Sequence, residues 1–494
     1  MILKSVKKMV SNRVVMLGIV CIILITGLCG ATAYYVNEEI RNLDTECTNL
    51  HNQIANLGTT LQNQIGTLQN QIANLNTTLH IQITILQNQI ANLSEPLTSA
   101  SYLIFKNGTE YFARNCTSEK IEYNGTNAAQ VVNSAMAAVP LSQPVVIDFA
   151  PGDYNLTASI VLRNYTTING AGEYATTFTT QNNITVIKVN GSTNTGRIDN
   201  IVLENFGIVG NGDHSHNGTI GLQLWFLNGP VVQNVRILFC YIGIDTVELW
   251  KPMMSTLWIE WCSKGYVTDY FANSSTAGVR LSDFEIQYCD IGLYLYRRAS
   301  AVMLSQGEIG GCNSAITVEE LSFAHISNVL LDSDNEAGIK IIQNGNCVIR
   351  GIQWSNVWVG TTNSSLLTGA VTIIAENRSD VYDLSFENIQ VRTFYPSGFY
   401  MENVSNVQIS GGEIYGDFPN AEYGIYLNGC SNVTISGLRI YGLAASGSWG
   451  IYEEGSSNHD TIYGCTCTAG AGGIRIVGNQ THVDLCWNNT YWIP

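Results

Sequence analysis

Three glutamates recur at related positions in consecutive segments of the chain, together with a tryptophan and an arginine. Four cysteines spaced 22, 27 and 23 residues apart provide the common register: Cys240, Cys262, Cys289 and Cys312. The position four residues before each cysteine holds, in order, Arg236, Trp258, Glu285 and Glu308, and Glu260 stands two residues before the second cysteine. Paired carboxyl groups can act as acid and as base or nucleophile on a glycosidic bond. We therefore predict Glu260, Glu285 and Glu308 as catalytic residues, and Arg236 and Trp258 as substrate-binding residues.

The separation of these carboxylates decides which reaction they suit. If the segments stack as neighbouring parallel strands, Glu285 and Glu308 lie about 5 Å apart and Glu260 and Glu285 lie diagonally about 8 Å apart. Those separations match retaining and inverting glycosidases respectively, and a neighbouring like charge raises one pKa, as a general acid requires. Exposed strand positions often carry glutamate, however. A solvated or merely sugar-binding face is therefore the alternative.

A second group of polar and aromatic residues follows glycines at the starts of other predicted strands. Their side chains are expected to point outward and to bind carbohydrate; the substrate-binding candidates are Asp245, Asp269, Tyr294 and Tyr296. The sequence predicts no cofactor and no metal site, and calcium is the alternative kept open. We find no P-loop, GxSxG or HExxH motif.

The elements that must position these residues are stacked turns of a solenoid. Isoleucine stands three residues before each aligned cysteine, at Ile237, Ile259, Ile286 and Ile309, and the position just before the cysteine holds Phe239, Trp261, Tyr288 and Gly311. We predict that the isoleucine and aromatic columns both face the core. With about 25 residues per turn, some 14 turns are expected. The cysteines are interpreted as a buried thiol ladder, with disulfides or a metal site as alternatives.

Residues 121–494 resemble the pectate-lyase-like superfamily. The resemblance rests on Asn127 to Val139, read as a capping helix, on Pro151-Gly152-Asp153-Tyr154 and on Ile168-Asn169-Gly170-Ala171-Gly172. It implies an all-β fold, a right-handed single-stranded parallel β-helix. It also implies a polysaccharide hydrolase or lyase as one possible activity. The polygalacturonase-like signatures (Asn-Thr-Asp, Asp-Asp, Gly-His-Gly and Arg-Ile-Lys) are missing, and so is a pectate-lyase set of calcium-binding aspartates with a catalytic arginine, which favours a binding protein.

The N-terminus predicts a membrane anchor. Residues 14–36 contain no charged residue and are apolar enough to form one transmembrane helix. Basic residues precede the segment and acidic residues follow it, so residues 1–13 are predicted to be cytoplasmic and the remainder extracellular. A cleaved signal peptide is the competing interpretation.

Residues 37–95 predict a coiled-coil stalk with an 18-residue repeat. Its apolar residues are separated by three or four positions, from Ile54 to Leu93, which is the spacing of a helical seam. A polar linker is the alternative. We expect a homotrimer through this stalk, with residues 96–120 as a transition segment.

Composition supports an exported protein. Charged residues make up 13% of the chain and the net charge is −16, which argues against a nucleic-acid partner. Glycosylation sequons on an exported chain suggest a glycan-coated surface, and the predicted sites are Asn107, Asn124, Asn155, Asn217, Asn273, Asn363, Asn377 and Asn432. The predicted function is a carbohydrate-binding surface protein of a cell or virion, of the adhesin or spike type. The alternatives are an extracellular polysaccharide hydrolase or lyase and a structural surface-coat component.

Overall fold

The computed structural model describes most of the chain from residue 100 onward and short stretches before it. The described residues are 11–13, 15–20, 49, 54–72, 75, 100–191, 196–212, 218–269, 275–333, 336–361, 368–478, 480–484, 486 and 491–492. The chain divides into two compact units, Met1–Leu97 and Thr98–Pro494.

The second unit is built almost entirely from short strands. The first half contains β1 (Tyr102–Asn107), β2 (Glu110–Asn115), β3 (Ile121–Gly125), β4 (Val145–Phe149), β5 (Gly152–Asn155), β6 (Ile160–Val161), β7 (Thr166–Asn169), β8 (Thr176–Thr179), β9 (Thr185–Asn190), β10 (Ile198–Asp199), β11 (Val202–Val209), β12 (Ile220–Trp225), β13 (Leu227–Asn228), β14 (Val231–Leu238), β15 (Ile242–Val247), β16 (Met253–Glu260), β17 (Lys264–Thr268), β18 (Thr276–Ala277), β19 (Arg280–Gln287) and β20 (Ile291–Leu295). The second half contains β21 (Ala299–Cys312), β22 (Ser314–Val318), β23 (Leu321–Ser333), β24 (Ile339–Ile342), β25 (Ile349–Ser355), β26 (Trp358–Thr361), β27 (Gly369–Ile374), β28 (Val381–Arg392), β29 (Ser397–Glu402), β30 (Ser405–Tyr415), β31 (Tyr423–Asn428), β32 (Ser431–Ser436), β33 (Arg439–Leu443), β34 (Trp449–Glu454), β35 (Thr461–Tyr463), β36 (Thr466–Ala469), β37 (Gly472–Arg475), β38 (His482–Asp484) and β39 (Tyr491–Trp492).

These strands form a parallel β-helix of about 12 turns, which confirms the predicted all-β solenoid. One sheet has 14 strands and receives one strand from each turn. Its terminal strands, β6 and β39, are only two residues long, so the number of complete turns is lower than the predicted 14. The other large sheet has 23 strands because it continues around a corner of the solenoid.

That corner is made by single residues in the left-handed backbone conformation. β11 pairs with β7 before Asn205 and with β8 after it, and Asn205 has φ +63°. The same conformation, with φ from +51° to +54°, occurs at the equivalent position of the following turns: Asn234, Thr256, Asp283, Gln306, Asn328, Asn356 and Asn388. Asparagine adopts this conformation more readily than most residues, which explains its recurrence.

The isoleucine column faces the core as predicted. Ile237, Ile259, Ile286 and Ile309 are each at most 1% exposed. The strands of the 14-stranded sheet pass close above them, and a glycine at the crossing allows this approach. A Cβ atom on Gly265 would lie 2.5 Å from the Gly292 carbonyl oxygen and 2.6 Å from Ile286 Cγ2.

The prediction for the aromatic column is wrong. Phe239, Trp261 and Tyr288 are 37%, 44% and 47% exposed, and they lie at a second left-handed corner with φ between +53° and +55°. Alternation of side chains along a strand ends where the backbone turns this corner, so these rings point outward instead of into the core.

The four aligned cysteines form a buried column. Each Sγ donates to the carbonyl oxygen two residues earlier, at 3.4 to 3.5 Å. The structure has all four residues as thiols, which agrees with the thiol-ladder interpretation. Burial raises the pKa of the Cys262 thiol, so this residue is poorly suited to nucleophilic chemistry.

A helix caps the N-terminal end of the solenoid, as the sequence predicts. It spans Ala128–Ala138, and the side chain of the N-cap residue Asn127 accepts a hydrogen bond from the Gln130 backbone N–H at 3.3 Å. The structure differs from the sequence prediction just before this helix. The predicted transition segment 96–120 contains β1 and β2, and β1 pairs in parallel with β4, so the sheet begins ahead of residue 121.

The first unit is described only in part. Residues 54–72 of the predicted stalk are helical, and the apolar side chains of its seam are 37% to 58% exposed there. Of the predicted membrane segment 14–36, only residues 15–20 are described, and they are helical. Among the described helices we find none long and apolar enough to cross a bilayer.

Candidate functional site

A concave surface of about 460 Å³ lies on the outer face of the 23-stranded sheet, across β16, β19, β21 and β23. Its lining residues are Glu173, Thr256, Leu257, Trp258, Asp283, Phe284, Glu285, Gln306, Gly307, Glu308, Asn328 and Leu330. Four strands extend over about 14 Å along the solenoid axis. We call this surface the acidic groove. It contains Trp258, Glu285 and Glu308, three of the residues predicted from the sequence.

The predicted register of the carboxylates is confirmed. Glu285 pairs directly with Glu308 on the neighbouring strand, and Glu260 pairs with Gln287 and is therefore diagonal to Glu285. Direct partners in parallel strands are separated by about 4.8 Å. Burial raises the pKa of Glu285, and the negative charges of Glu308 and Glu260 raise it further. Glu285 thus keeps its proton to a higher pH than an ordinary glutamic acid.

Arg236 and Tyr174 pack against Trp258, which lines one end of the acidic groove. The Arg236 guanidinium carbon lies 4.7 Å from the centre of the Tyr174 ring and 5.4 Å from that of the Trp258 ring. The two rings meet edge to face at 6.1 Å. Arg236 is therefore placed as a support for the aromatic wall and is absent from the groove lining. Glu173, next to Tyr174, adds a carboxylate that the sequence analysis missed, because its turn is distant in the chain.

The left-handed corner next to the acidic groove has an unusual composition. On one side, Asn234 donates to Asn205 at 2.8 Å, and on the other Asn388 donates to Asn356 at 2.7 Å. Between these asparagines, the turns that carry Trp258, Glu285 and Glu308 have Thr256, Asp283 and Gln306 instead. The sequence analysis also missed these three residues as parts of the site. They could have been found from the polar residue that stands six positions before every aligned cysteine.

The acidic groove carries four carboxyl groups, from Glu173, Asp283, Glu285 and Glu308, and its lining includes no lysine or arginine. None of the four takes part in an ion pair with a described residue. Because like charges repel across a low-dielectric surface, a polyanionic chain is a poor ligand for this groove. Neutral or cationic ligands suit it.

The second predicted group is not brought to the acidic groove. Asp245 and Tyr294 lie on the 14-stranded sheet, in β15 and β20, and Asp269 and Tyr296 directly follow β17 and β20. Asp245 was expected to point to solvent, but it is only 3% exposed. Its Oδ2 accepts a hydrogen bond from Trp225 Nε1 at 3.0 Å, and burial raises its pKa to about 6. An indole on the neighbouring strand thus covers a carboxylate that strand alternation places outside.

Both tyrosines of this group already contact neighbouring charged side chains. The Tyr294 hydroxyl donates to Glu319, and Lys264 Nζ lies 4.7 Å from the centre of the Tyr294 ring. The Arg297 guanidinium carbon lies 5.1 Å from the centre of the Tyr296 ring. These contacts leave the 14-stranded sheet a weaker candidate for ligand binding than the acidic groove.

Five of the eight predicted glycosylation sites are described, and all five are exposed: Asn107, Asn124, Asn155, Asn377 and Asn432. Asn217, Asn273 and Asn363 lie outside the described residues. The described part of the chain contains no group of three or more His, Cys, Asp or Glu side chains arranged to hold a metal ion.

Comparison with known proteins gives one family match. Residues 369–490 match the model described as "Right handed beta helix region". No relative was found among curated proteins.

Several solved structures are similar to this chain at low identity. The A-module of the mannuronan C-5 epimerase AlgE6 of Azotobacter vinelandii is 15% identical, with 73% of this chain and 95% of that chain covered and a TM-score of 0.48. The pre-mature gene product 12 of bacteriophage phi29 is 14% identical over 74% of this chain and 55% of that one, with a TM-score of 0.48. The catalytic unit of a GH87 α-1,3-glucanase from Streptomyces thermodiastaticus is 15% identical over 74% and 67%, with a TM-score of 0.45.

Proposed function

We propose that the chain is a carbohydrate-binding β-helix protein that holds a neutral or amine-bearing glycan in the acidic groove. The observation that supports this most directly is the coincidence of one concave surface with an aromatic wall and a set of unpaired carboxylates. Sugar rings pack their C–H faces against aromatic side chains and hydrogen-bond through their hydroxyl groups to carboxylates and amides. Trp258 supplies the first kind of contact, and Glu285, Glu308 and Gln306 supply the second.

Binding is tested with the full-length protein and a panel of immobilised polysaccharides. We expect retention on neutral or amine-bearing glycans and none on polyuronates. Trp258→Ala should weaken retention about tenfold, since an aromatic contact and its hydrophobic area contribute about 1 to 2 kcal/mol. Trp250→Ala, which removes an exposed ring on another part of the solenoid, is the control. Equal retention by wild type and Trp258→Ala would remove the acidic groove as the binding site.

Hydrolysis of the bound glycan is the second candidate function, and the raised pKa of Glu285 favours it. Glu285 would donate its proton to the leaving glycosidic oxygen. Glu308, the direct neighbour of Glu285, would attack the anomeric carbon, and water would then release the glycosyl intermediate. The strands that carry these two glutamates are about 4.8 Å apart, so their carboxyl groups can adopt the separation of about 5 to 5.5 Å that a retaining mechanism needs.

The two candidates are separated by Glu285→Gln. If the chain is a hydrolase, this variant should lose at least about a hundredfold in the rate of new reducing ends, because it lacks the general acid, and retention should persist. Wild-type activity should fall as pH rises through the elevated pKa of Glu285. An ultraviolet-absorbing unsaturated product would instead indicate a lyase. Activity that survives in Glu285→Gln would contradict the assignment.

The proposed setting is the outside of a cell or virion. The uncharged segment 14–36 would anchor the chain with residues 1–13 in the cytoplasm, and three copies of residues 37–95 would form a stalk. The exposed seam of residues 54–72 supports this, because an unpaired apolar helix face is unstable in water. Sedimentation of the full-length protein in detergent should give a trimeric mass, and a monomeric mass would contradict the stalk.

A further inference from the structure

Three aromatic side chains lie exposed on successive turns, at the corner that follows β14, β16 and β19. Phe239, Trp261 and Tyr288 are 37%, 44% and 47% exposed. The Trp261 and Tyr288 rings stack at 4.6 Å with an angle of 17° between their planes. Contiguous exposed aromatic residues on a soluble surface commonly mark a binding site.

The local backbone does not favour aromatic residues at this corner. All three residues have φ between +53° and +55°, a conformation that glycine and asparagine adopt more easily. The next turn has Gly311 at the same corner, with φ +61°. Neither burial nor backbone preference accounts for three rings in succession. Stacking of Trp261 on Tyr288 stabilises the corner, and an interaction with a ligand is the second physical reason for exposed rings here.

We propose that this aromatic stripe, Phe239, Trp261 and Tyr288, is a second binding site and that it takes a neutral sugar ring of the same glycan chain. This inference rests on the proposed carbohydrate ligand and adds a site outside the acidic groove. Trp261 covers one face of Tyr288, and Gly311 has no side chain to cover the opposite face. A pyranose ring stacked there would continue the column by one layer.

The size and surroundings of the aromatic stripe fit a sugar better than a protein. Three aromatic side chains at roughly two fifths exposure offer about 250 Å², whereas a stable protein interface needs about 800 Å² from each partner. Glu260 and Gln287 directly precede Trp261 and Tyr288 and pair with each other on neighbouring strands, so hydrogen-bonding residues end the strands next to the rings. A flat apolar surface with a polar edge is the arrangement that binds the C–H face and hydroxyl groups of a sugar.

The aromatic stripe is also within reach of the acidic groove. Glu308 and Gly311 are three residues apart on β21, a distance of about 10 Å along a strand. A glycan chain that contacts both Glu308 and the corner at Gly311 therefore needs two or more sugar units to span the distance. A single glycan chain can therefore occupy both sites, with the acidic groove holding one segment and the stripe holding the next.

The test uses full-length protein and immobilised neutral glucan, mannan and galactan oligosaccharides of increasing length. Tyr288→Asn should raise the dissociation constant about threefold to tenfold for long chains and much less for chains too short to reach both sites. Asparagine suits the left-handed corner, so the melting temperature should stay the same or rise. Tyr165→Asn is the matched control, because Tyr165 is 41% exposed with φ +59° on a distant turn.

Three outcomes would overturn the aromatic stripe as a sugar site. The first is an unchanged dissociation constant in both Tyr288→Asn and Trp261→Asn. The second is a fall of several degrees in the melting temperature, which would make the rings structural. The third is self-association of the wild type that Tyr288→Asn abolishes. Failure of the proposed groove is distinguishable, since Trp258→Ala would then bind normally while Tyr288→Asn would still lose affinity.

Discussion

Gly265→Ala is expected to destabilise the solenoid by about 3 kcal/mol, at the upper end of the range for overpacking. The added methyl group would lie 2.5 Å from the Gly292 carbonyl oxygen and 2.6 Å from Ile286 Cγ2. The first neighbour is backbone and the second is a fully packed core side chain, so neither can move without disturbing the next turn. Urea unfolding followed by circular dichroism measures the effect.

Two positions provide comparison for Gly265→Ala. Gly447 has open space around it and no left-handed backbone, so Gly447→Ala should change the unfolding midpoint little. Ala315 occupies the equivalent position two turns on, where pairing with the next strand starts only at Ile316 and Ile339. The structure accommodates a methyl group at this position, and the Ala315 N–H donates to the Ala337 carbonyl oxygen of the next turn at 3.2 Å. Equal stability of Gly265→Ala and wild type would mean that the turns can separate more easily than their packing implies.

Stability is expected to fall as pH rises from about 4.5 to 7, and two buried carboxyl groups are the reason. Glu453 is 0% exposed and Asp460 is 1% exposed. Glu453 Oε1 accepts from Thr481 Oγ1 at 3.0 Å and Asp460 Oδ1 accepts from the Val433 N–H at 2.8 Å, while the second oxygen of each has no partner among the described residues. Burial raises the pKa of Glu453 to about 7 and that of Asp460 to about 6.

The direction of this dependence follows from proton binding. Between the ordinary carboxyl pKa and the raised one, the folded chain holds a proton that the unfolded chain has lost, so the free energy of unfolding decreases as pH rises. Each pH unit across that interval changes it by 1.36 kcal/mol, which gives about 3 kcal/mol for Glu453. Above about pH 7 the loss is complete. Arg378 counteracts part of it by lowering the pKa of Asp460.

Glu453→Gln should abolish a large part of this pH dependence and should be more stable than wild type at pH 8. Denaturant unfolding at pH 4.5, 6 and 8 measures both effects. Glu387→Gln, which changes an exposed carboxylate on β28, is the control and should keep the wild-type profile. A wild-type stability that is constant over this range would show that these carboxyl groups are solvated in solution.

The sequence predicted those features that depend on strict repetition. Cys240, Cys262, Cys289 and Cys312 provided a register that placed Ile286 and Ile309 in the core and paired Glu285 with Glu308. The capping helix was predictable because an asparagine N-cap precedes an apolar helical pattern. In both cases the local sequence pattern favours the same conformation that the folded solenoid requires.

Two kinds of feature could not be predicted from alternation along strands. Trp261 was misplaced because one left-handed residue redirects the chain, and an aromatic residue gives no warning of that conformation. Glu173 and Asp245 depend on contacts between turns: Glu173 reaches the acidic groove from a distant turn, and Asp245 is covered by Trp225. Such contacts are set by three-dimensional packing and leave no periodic trace in one sequence.

The stacking of nearly equivalent turns has a consequence for how such a chain changes in evolution. Among the described residues, the strands of each turn pair only with strands of the turn before it and the turn after it, and the aligned turns are 22 to 27 residues long. Duplication or deletion of one such stretch would add or remove a whole layer while the remaining layers keep their neighbours. The length of the proposed binding surface can thus be inherited as a number of gene-segment copies, separately from the residues that would contact a ligand.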